Sequence, residues 1–327
     1  RSGMSIAVIN DFSVEAVRDA LEKLDSFAGL KVNGLNAFQL NELESIDPEL
    51  FKRVEEKIKA DRWFPFAGAW TDTDEMSETA LIKSCLYSVR YFLDKFGKKY
   101  RVFHGEKIYN NRFSQIVYSS LFDAAVLDSE TESKWVHGAD DFRTLVIGAE
   151  TADVTDMDDD SIKDNEFISY EELADSLFES SLDLETVVLP KDSTRPQGIE
   201  KQLVDAERAA ALNGKDIAKD VKAAWIAHFG GDDTAAEKLV SEIDISVSAE
   251  NDITAHGDGV EISEVKTAED GSCDIVIRVT ERAGKEHSAY IMYDKLSAGF
   301  RFESMPYEIQ TFRIGADSYA KEIYICE

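Results

Sequence analysis

The order of helical and strand-like patterns along the chain constrains its fold most. Up to about residue 150, stretches with apolar residues at a helical spacing alternate with short apolar runs such as LKVNG and AAVLD. Asp47 followed by Pro48 predicts the start of one helix, and Ser77 and Gly97 predict the start and end of another. Short strands separated by helices are typical of a parallel sheet, so this segment is predicted to form an α/β layer.

The pattern changes twice after residue 150. A strongly acidic stretch comes first, followed by alanine-rich segments with helical stripes that predict a small bundle. Further on, β-branched and aromatic residues alternate with polar ones between turns, which predicts an antiparallel β-sandwich. We therefore predict a multidomain α/β plus β protein, with an α/β domain at 1–150, an acidic linker at 151–194, a helical bundle at 195–242 and a C-terminal β-domain at 243–327.

The acidic segment contains a partial calcium-loop pattern. Asp156, Asp158 and Asp160 have the spacing of the first ligands of such a loop. Ser161 and Phe167 occupy the positions where the loop has its glycine and its bidentate acid. We interpret the stretch as a solvated acidic loop.

The overall charge restricts the partners. The chain has 65 acidic and 36 basic residues, a net charge of −29, which disfavours nucleic acid and anionic membranes as partners. No apolar run is long enough to span a membrane, and no signal-peptide core is visible. The three cysteines include no CxxC pair, so a reduced, cytoplasmic location is expected. The possible partners that remain are neutral or cationic ligands, including carbohydrates, and proteins.

An aromatic block precedes the second capped helix. In ADRWFPFAGAWTDTDEMSETALIKSC, two tryptophans are followed by Asp72 and Asp74. Aromatic rings beside carboxylates suit a pyranose, because a ring face covers the C–H surface of the sugar and the carboxylates accept its hydroxyl protons. Trp70, Asp72 and Asp74 are therefore candidate carbohydrate-binding residues. The alternative is a tryptophan-containing strand edge that packs on the next helix.

A second candidate follows the run VFHGEKIYNN. His104, Gly105 and Glu106 come at the end of a predicted strand. The carboxyl ends of the strands in an α/β sheet are where catalytic and binding side chains collect. His104 is therefore a candidate for carbohydrate binding and Glu106 for catalysis.

These blocks resemble the glycoside hydrolase family 38, the class II α-mannosidases. The family's GRW-x-P-x-G-G-x-W-x-E-x-D and S-G-E-S-L segments match in order, and PYEIQTF is similar to the family's closing P-x-E-[IV]-x-T pattern. The matching residues of the first two segments are Arg62, Trp63, Pro65, Gly68, Trp70, Asp74, Ser77, Glu78 and Leu81. The resemblance implies a truncated β/α-barrel-like N-terminal domain, a helical segment and a C-terminal β-domain, in a shortened family member.

The family's reaction implies a nucleophilic aspartate, an acid and a zinc ion. The family's zinc is held by an N-terminal H-x-D, by the nucleophile and by a histidine of a QFHD motif. Here Asn10 and Asp11 stand in place of the H-x-D, and Gly105 aligns with the nucleophile. A one-residue shift would place Glu106 there instead.

The third zinc motif also departs from the family. Gly230 aligns with its histidine and Gly231 with its aspartate, while His228 comes two residues early. The resemblance therefore implies that zinc and the covalent mechanism are lost and that no cofactor is bound.

Three functions remain open at this stage. The leading expectation is an α-mannosidase-like protein without hydrolase activity that binds a mannoside-like carbohydrate or a protein partner. The second is an active α-glycosidase that uses Glu106 with Asp72 or Asp74. The third is an interaction module whose acidic segment binds a basic protein.

Overall fold

The computed structural model describes residues 4–71, 76–105, 121–128, 130–137, 143–187, 195–245, 252–293 and 298–325. Helices and strands alternate up to residue 105, as predicted, whereas four strands between residues 124 and 153 follow one another within the described part of the chain. The elements up to residue 187 are β1 (Met4–Ile9), α1 (Val14–Ser26), β2 (Val32–Gly34), α2 (Ala37–Ile46), α3 (Pro48–Lys59), β3 (Trp63–Phe64), α4 (Glu78–Phe96), β4 (Val102–Gly105), β5 (Ala124–Leu127), β6 (Lys134–His137), β7 (Arg143–Ile147), β8 (Thr151–Asp153), α5 (Asp159–Lys163), β9 (Glu166–Phe167), α6 (Tyr170–Leu177) and β10 (Leu184–Thr186).

These strands form two mostly parallel sheets. The first has the order β3-β2-β1-β8, and β9 also pairs with β1. The second has the order β10-β6-β7-β5-β4, in which only β6 and β7 pair antiparallel. A single parallel bridge between Gly68 and His104 joins the end of the first sheet to the second. The residues that follow the carboxyl ends of β1 to β5 are thereby brought to one edge of the sheets.

The predicted helix boundaries are confirmed at both capped helices. The Asp47 side chain accepts a hydrogen bond from the Leu50 amide, with Pro48 in the first turn of α3. The Ser77 hydroxyl accepts one from the Ala80 amide at the start of α4, which ends at Gly97 in the left-handed conformation. Most of α4 is buried, because other elements cover it on several sides.

The segment predicted as an acidic linker belongs to the α/β part. It supplies β8 and β9 to the first sheet, β10 to the second, and α6 between them. Its carboxylates cap local structure: Asp158 accepts from the Ser161 amide at the start of α5, and Asp153 accepts from the Thr155 amide. The segment is therefore more than the predicted linker, because its Phe167 and Tyr170 side chains are buried.

Three helices and seven strands make up the rest of the described chain. They are α7 (Gly198–Leu212), α8 (Ala218–Phe229), α9 (Thr234–Glu242), β11 (Ile253–His256), β12 (Val260–Thr267), β13 (Ile275–Glu281), β14 (His287–Tyr293), β15 (Ala298–Ser304), β16 (Ile309–Ile314) and β17 (Ala320–Ile323). The strands form two antiparallel sheets, β11-β14-β15 and β12-β13-β16-β17. Both sheets contribute side chains to one hydrophobic cluster, including Ile277, Ile291 and Phe312.

The predicted fold class is confirmed in its coarser form, as a multidomain arrangement of α/β and β parts. Closure of the first part into a barrel and the exact domain boundaries stay predictions. Within the described part of the chain, no helix combines the length and the apolar character needed to cross a bilayer.

Candidate ligand-binding cleft

A cleft lies at the carboxyl ends of β1 to β5. Parallel strands end at the same edge of a sheet, so the residues that follow them meet there. The cleft has two adjoining lobes of about 160 and 400 Å³. The residues that line both lobes are Asn10, Phe66, His104 and Asp128. The first lobe is also lined by Asn36, Gln39 and Gly105, and the second by Glu130, Glu150 and Tyr170, among others.

His104 lies at the boundary of the two lobes. Its ring stacks on Phe66 with 4.2 Å between centroids, and Tyr170 meets it edge-on at 5.1 Å. The His104 amide donates to the Ala67 carbonyl oxygen at 2.8 Å, which holds the end of β4 against the chain after β3. Burial lowers the pKa of His104 to about 3, so the imidazole is neutral at physiological pH. No other described residue hydrogen-bonds its ring nitrogens.

Gly68 permits this close approach. Its φ of +144° is unfavourable for other residues, and a Cβ there would lie 2.8 Å from the His104 carbonyl oxygen. The glycine of the aromatic block therefore sets the backbone position of His104.

Two amide side chains are held at the first lobe by a capping box. The Asn36 Oδ1 accepts from the Gln39 amide, and the Gln39 Oε1 accepts from the Asn36 amide. Both carbonyl oxygens are thus used by the backbone at the start of α2. The NH₂ groups of the two side chains keep their donor capacity for a ligand.

Asp128 is a cleft residue that the sequence interpretation missed. It follows β5, and its amide donates to the Gly105 carbonyl oxygen at 3.1 Å. Partial desolvation raises the pKa of its carboxyl group. The sequence contains a signal for this residue. The segment AAVLD is a predicted strand followed at once by a carboxylate, and VFHGE has the same pattern.

The Phe103 ring occupies the space beside Gly105, the residue predicted to align with the family's nucleophile. Gly105 is buried, and a Cβ added to it would lie 2.6 Å from Cε1 of Phe103. The Phe103 ring also packs edge-on against Phe122 at 5.4 Å. An aspartate at residue 105 therefore requires the Phe103 ring to move.

Asn10 and Asp11, which stand in place of the family's N-terminal H-x-D, make different contacts from each other. Asn10 lines both lobes of the cleft. Asp11 is engaged at the start of α1, where its two carboxylate oxygens accept from the Ser13 amide at 2.8 Å and the Ser13 hydroxyl at 3.0 Å. Neither residue offers an imidazole, the ligand that the family uses at this place.

His228 belongs to an ion-pair cluster in the helical part. Its Nδ1 lies 2.5 Å from Asp233 Oδ1, and its Nε2 lies 3.3 Å from Glu200 Oε1. Glu200 also accepts from the Ser77 amide at the start of α4. These carboxylates raise the pKa of His228, while its own hydrogen bond helps to lower that of Glu200.

The residues that align with the family's zinc motifs lie in separate places in the structure. His228 and Gly230 do not line the cleft, and a Cβ on Gly230 would lie 3.2 Å from the Phe38 ring. Among the residues that the structure describes, no group of three or more His, Cys, Asp or Glu side chains has the arrangement of a metal site. His104 is the one imidazole among the described residues that line the cleft, whereas two histidines hold the family's zinc; the loss of zinc stays a prediction.

The structure gives Trp70 a packing role in place of the predicted sugar-stacking role. Its side chain is 3% exposed, and Tyr91 meets its indole edge-on at 5.4 Å. Its amide donates to Ser84 Oγ at 2.7 Å, and its carbonyl oxygen accepts from the Phe38 amide. An enclosed indole has no face to offer a sugar. Asp72, Asp74 and Glu106 lie outside the described residues, so the rearranged carboxylate site stays a prediction.

The comparisons with known proteins concern the family and the fold. Residues 21–105 match the model of the glycosyl hydrolases family 38 N-terminal domain. The resemblance to family 38 is confirmed. The match begins within α1 and ends at Gly105, so it includes His104 and the ends of β2, β3 and β4, but not Asn10 after β1 or Asp128 after β5. No curated protein matches the chain.

Two solved structures from Enterococcus faecalis are similar in fold. An alpha-mannosidase from strain V583 is 11% identical with a TM-score of 0.56, over 85% of this chain and 46% of that one. A protein in the glycosyl hydrolase family 38 is 12% identical with a TM-score of 0.48, over 85% of this chain and 44% of that one. This chain therefore spans less than half the length of these relatives.

Proposed function

We propose that this protein binds a mannoside-like carbohydrate at the cleft and does not hydrolyse it. The observation that carries the proposal is Gly105 at the family's nucleophile position, with the Phe103 ring 2.6 Å from where its Cβ would be. A glycine has no group that can attack an anomeric carbon. The cleft itself is nevertheless present at the carboxyl ends of the strands.

The side chains that line the cleft suit a polyhydroxylated ligand. The NH₂ groups of Asn36 and Gln39 can donate to hydroxyl oxygens, and the Asp128 carboxylate can accept hydroxyl protons. The neutral imidazole of His104 can donate a hydrogen bond at one ring nitrogen and accept one at the other. Phe66 and Tyr170 add apolar surface for the C–H groups of a sugar.

The test combines binding, turnover and metal analysis. Calorimetric titration with methyl α-mannoside should show binding, 4-nitrophenyl α-mannoside should not be hydrolysed, and zinc should be substoichiometric. His104→Ala should weaken binding about 3- to 10-fold, because one hydrogen bond contributes about 0.5–1.5 kcal/mol. His256→Ala is the matched control, since His256 lies on the β11 sheet away from the cleft. Stoichiometric zinc together with turnover would contradict the proposal.

The low pKa of His104 leads to a pH prediction. Because burial lowers it from 6.5 to about 3, His104 contributes stability that is fully present above pH 6.5 and is lost as the pH falls toward 3. Between pH 7 and pH 5 the wild type should lose more unfolding free energy than His104→Gln. An NMR titration should find the imidazole neutral at pH 5. A transition near pH 6.5 would show that the ring is solvated.

A further inference from the structure

The charges around the cleft are of one sign. Asp128, Glu130 and Glu150 line the larger lobe, and no lysine or arginine lines either lobe among the described residues. His104 adds no positive charge, since burial keeps it neutral. Among the described residues, a ligand in this cleft therefore meets up to three carboxylates and no fixed cation.

Two of these carboxylates, Asp128 and Glu150, are exposed and differ from Glu130 in their pairing. Glu130 pairs with Lys134 at 3.2 Å, and Lys134 also reaches Glu185 at 2.6 Å. Within the described ranges, neither Asp128 nor Glu150 has an ion-pair partner. The raised pKa of Asp128 reflects the cost of its charge beside the cleft wall, a cost that a bound cation would offset.

The acidic side chains line a formed cavity that also has aromatic walls. It is a formed cavity whose wall holds the stacked Phe66 and His104 rings and the Tyr170 ring. The half-buried His104 ring lines both lobes, and its ring nitrogens have no partner among the described residues. Aromatic faces also favour a nearby cation.

We infer that the cleft prefers a sugar that carries a protonated amine over neutral and anionic sugars. The hydroxyl groups would accept from the amides of Asn36 and Gln39 in the smaller lobe, and the ammonium would donate to Asp128 and Glu150 in the larger one. The inference rests on the proposed carbohydrate-binding function and assigns its ligand class. A small amine alone would leave the amide donors of the first lobe unpaired.

The test compares four probes under identical conditions. Calorimetric titrations at pH 6 should rank mannosamine about five-fold tighter than mannose, because hydrogen bonds to charged groups exceed neutral ones by about 1 kcal/mol. N-acetylmannosamine should show no gain over mannose, and mannuronate should bind weakest. Raising the salt from 20 to 200 mM should reduce the mannosamine preference.

Substitutions test whether Asp128 and Glu150 cause the preference for mannosamine over mannose. In the Asp128→Asn, Glu150→Gln double variant, the ratio of mannosamine to mannose affinity should fall to about one. Asp160→Asn is the control, because Asp160 is an exposed carboxylate on α5 and should leave the ratio unchanged.

The outcomes separate this inference from the function on which it rests. Mannose binding equal to or tighter than mannosamine binding overturns the inference and leaves the proposed function standing. If none of the four probes binds, both fail. If 2-aminoethanol binds as tightly as mannosamine, the cleft is an amine site without sugar recognition, and the inference is overturned.

Discussion

Lys83→Met should destabilise the protein by about 3 to 5 kcal/mol, the usual cost of removing one partner of a buried ion pair. The Lys83 Nζ lies 2.8 Å from Glu207 Oε1 and 2.5 Å from Glu264 Oε1, and all three side chains are at most 5% exposed. Without the ammonium, two carboxylates would share a dry site. Urea unfolding monitored by circular dichroism measures the loss.

The matched control is Lys95→Met, the same substitution on the same helix. Lys95 is 39% exposed and pairs with Glu44 at 2.7 Å, so its loss should cost no more than about 1 kcal/mol. Equal losses in the two variants would show that the Lys83 cluster is hydrated. Adding Glu207→Gln to Lys83→Met should recover part of the stability, since Glu264 keeps its pair with Arg278.

This cluster connects the three parts of the chain. Lys83 lies on α4, Glu207 on α7 and Glu264 on β12, so α/β, helical and β regions meet at one set of charges. Attraction to the two carboxylates raises the pKa of Lys83 despite its burial, while desolvation raises the pKa of Glu207. We expect the Lys83→Met unfolding transition to be less cooperative than that of the wild type.

Gly105→Asp should not create a hydrolase and should cost about 1 to 3 kcal/mol, because the new Cβ overpacks the Phe103 ring. Restoring a carboxylate at the nucleophile position leaves the other family positions unchanged, with Gly230 in the helical part and Asp11 bound to Ser13. Hydrolysis of 4-nitrophenyl α-mannoside, with and without added zinc, and urea unfolding are the measurements.

Gly29→Asp is the control for this substitution. A Cβ on Gly29 meets no atom within 4 Å, so the expected change is within about 0.5 kcal/mol. The combination of Gly105→Asp with Phe103→Ala should cost less than the sum of the single changes, because the collision is removed. Turnover by Gly105→Asp alone would mean that a single residue separates this cleft from a hydrolase.

Local signals predicted local structure well. The caps at Asp47, Ser77 and Gly97 depend on hydrogen bonds and dihedral angles within a few residues, so they could be read from adjacent letters. Trp70 shows the limit of this approach. Tryptophan near carboxylates is found both at sugar sites and in cores, and only the packing of α2 and α4 around it places it in a core.

The sequence by itself determined the order of the elements and the family resemblance, and it predicts the glycine at the nucleophile position. Each of these is a property of neighbouring residues or of residue order. The tertiary structure alone decided which strand ends meet, and so brought Asp128 next to Gly105 and His104 next to Phe66. It also placed the acidic segment in the sheets and His228 among helices, because burial and pairing depend on residues far apart in the chain.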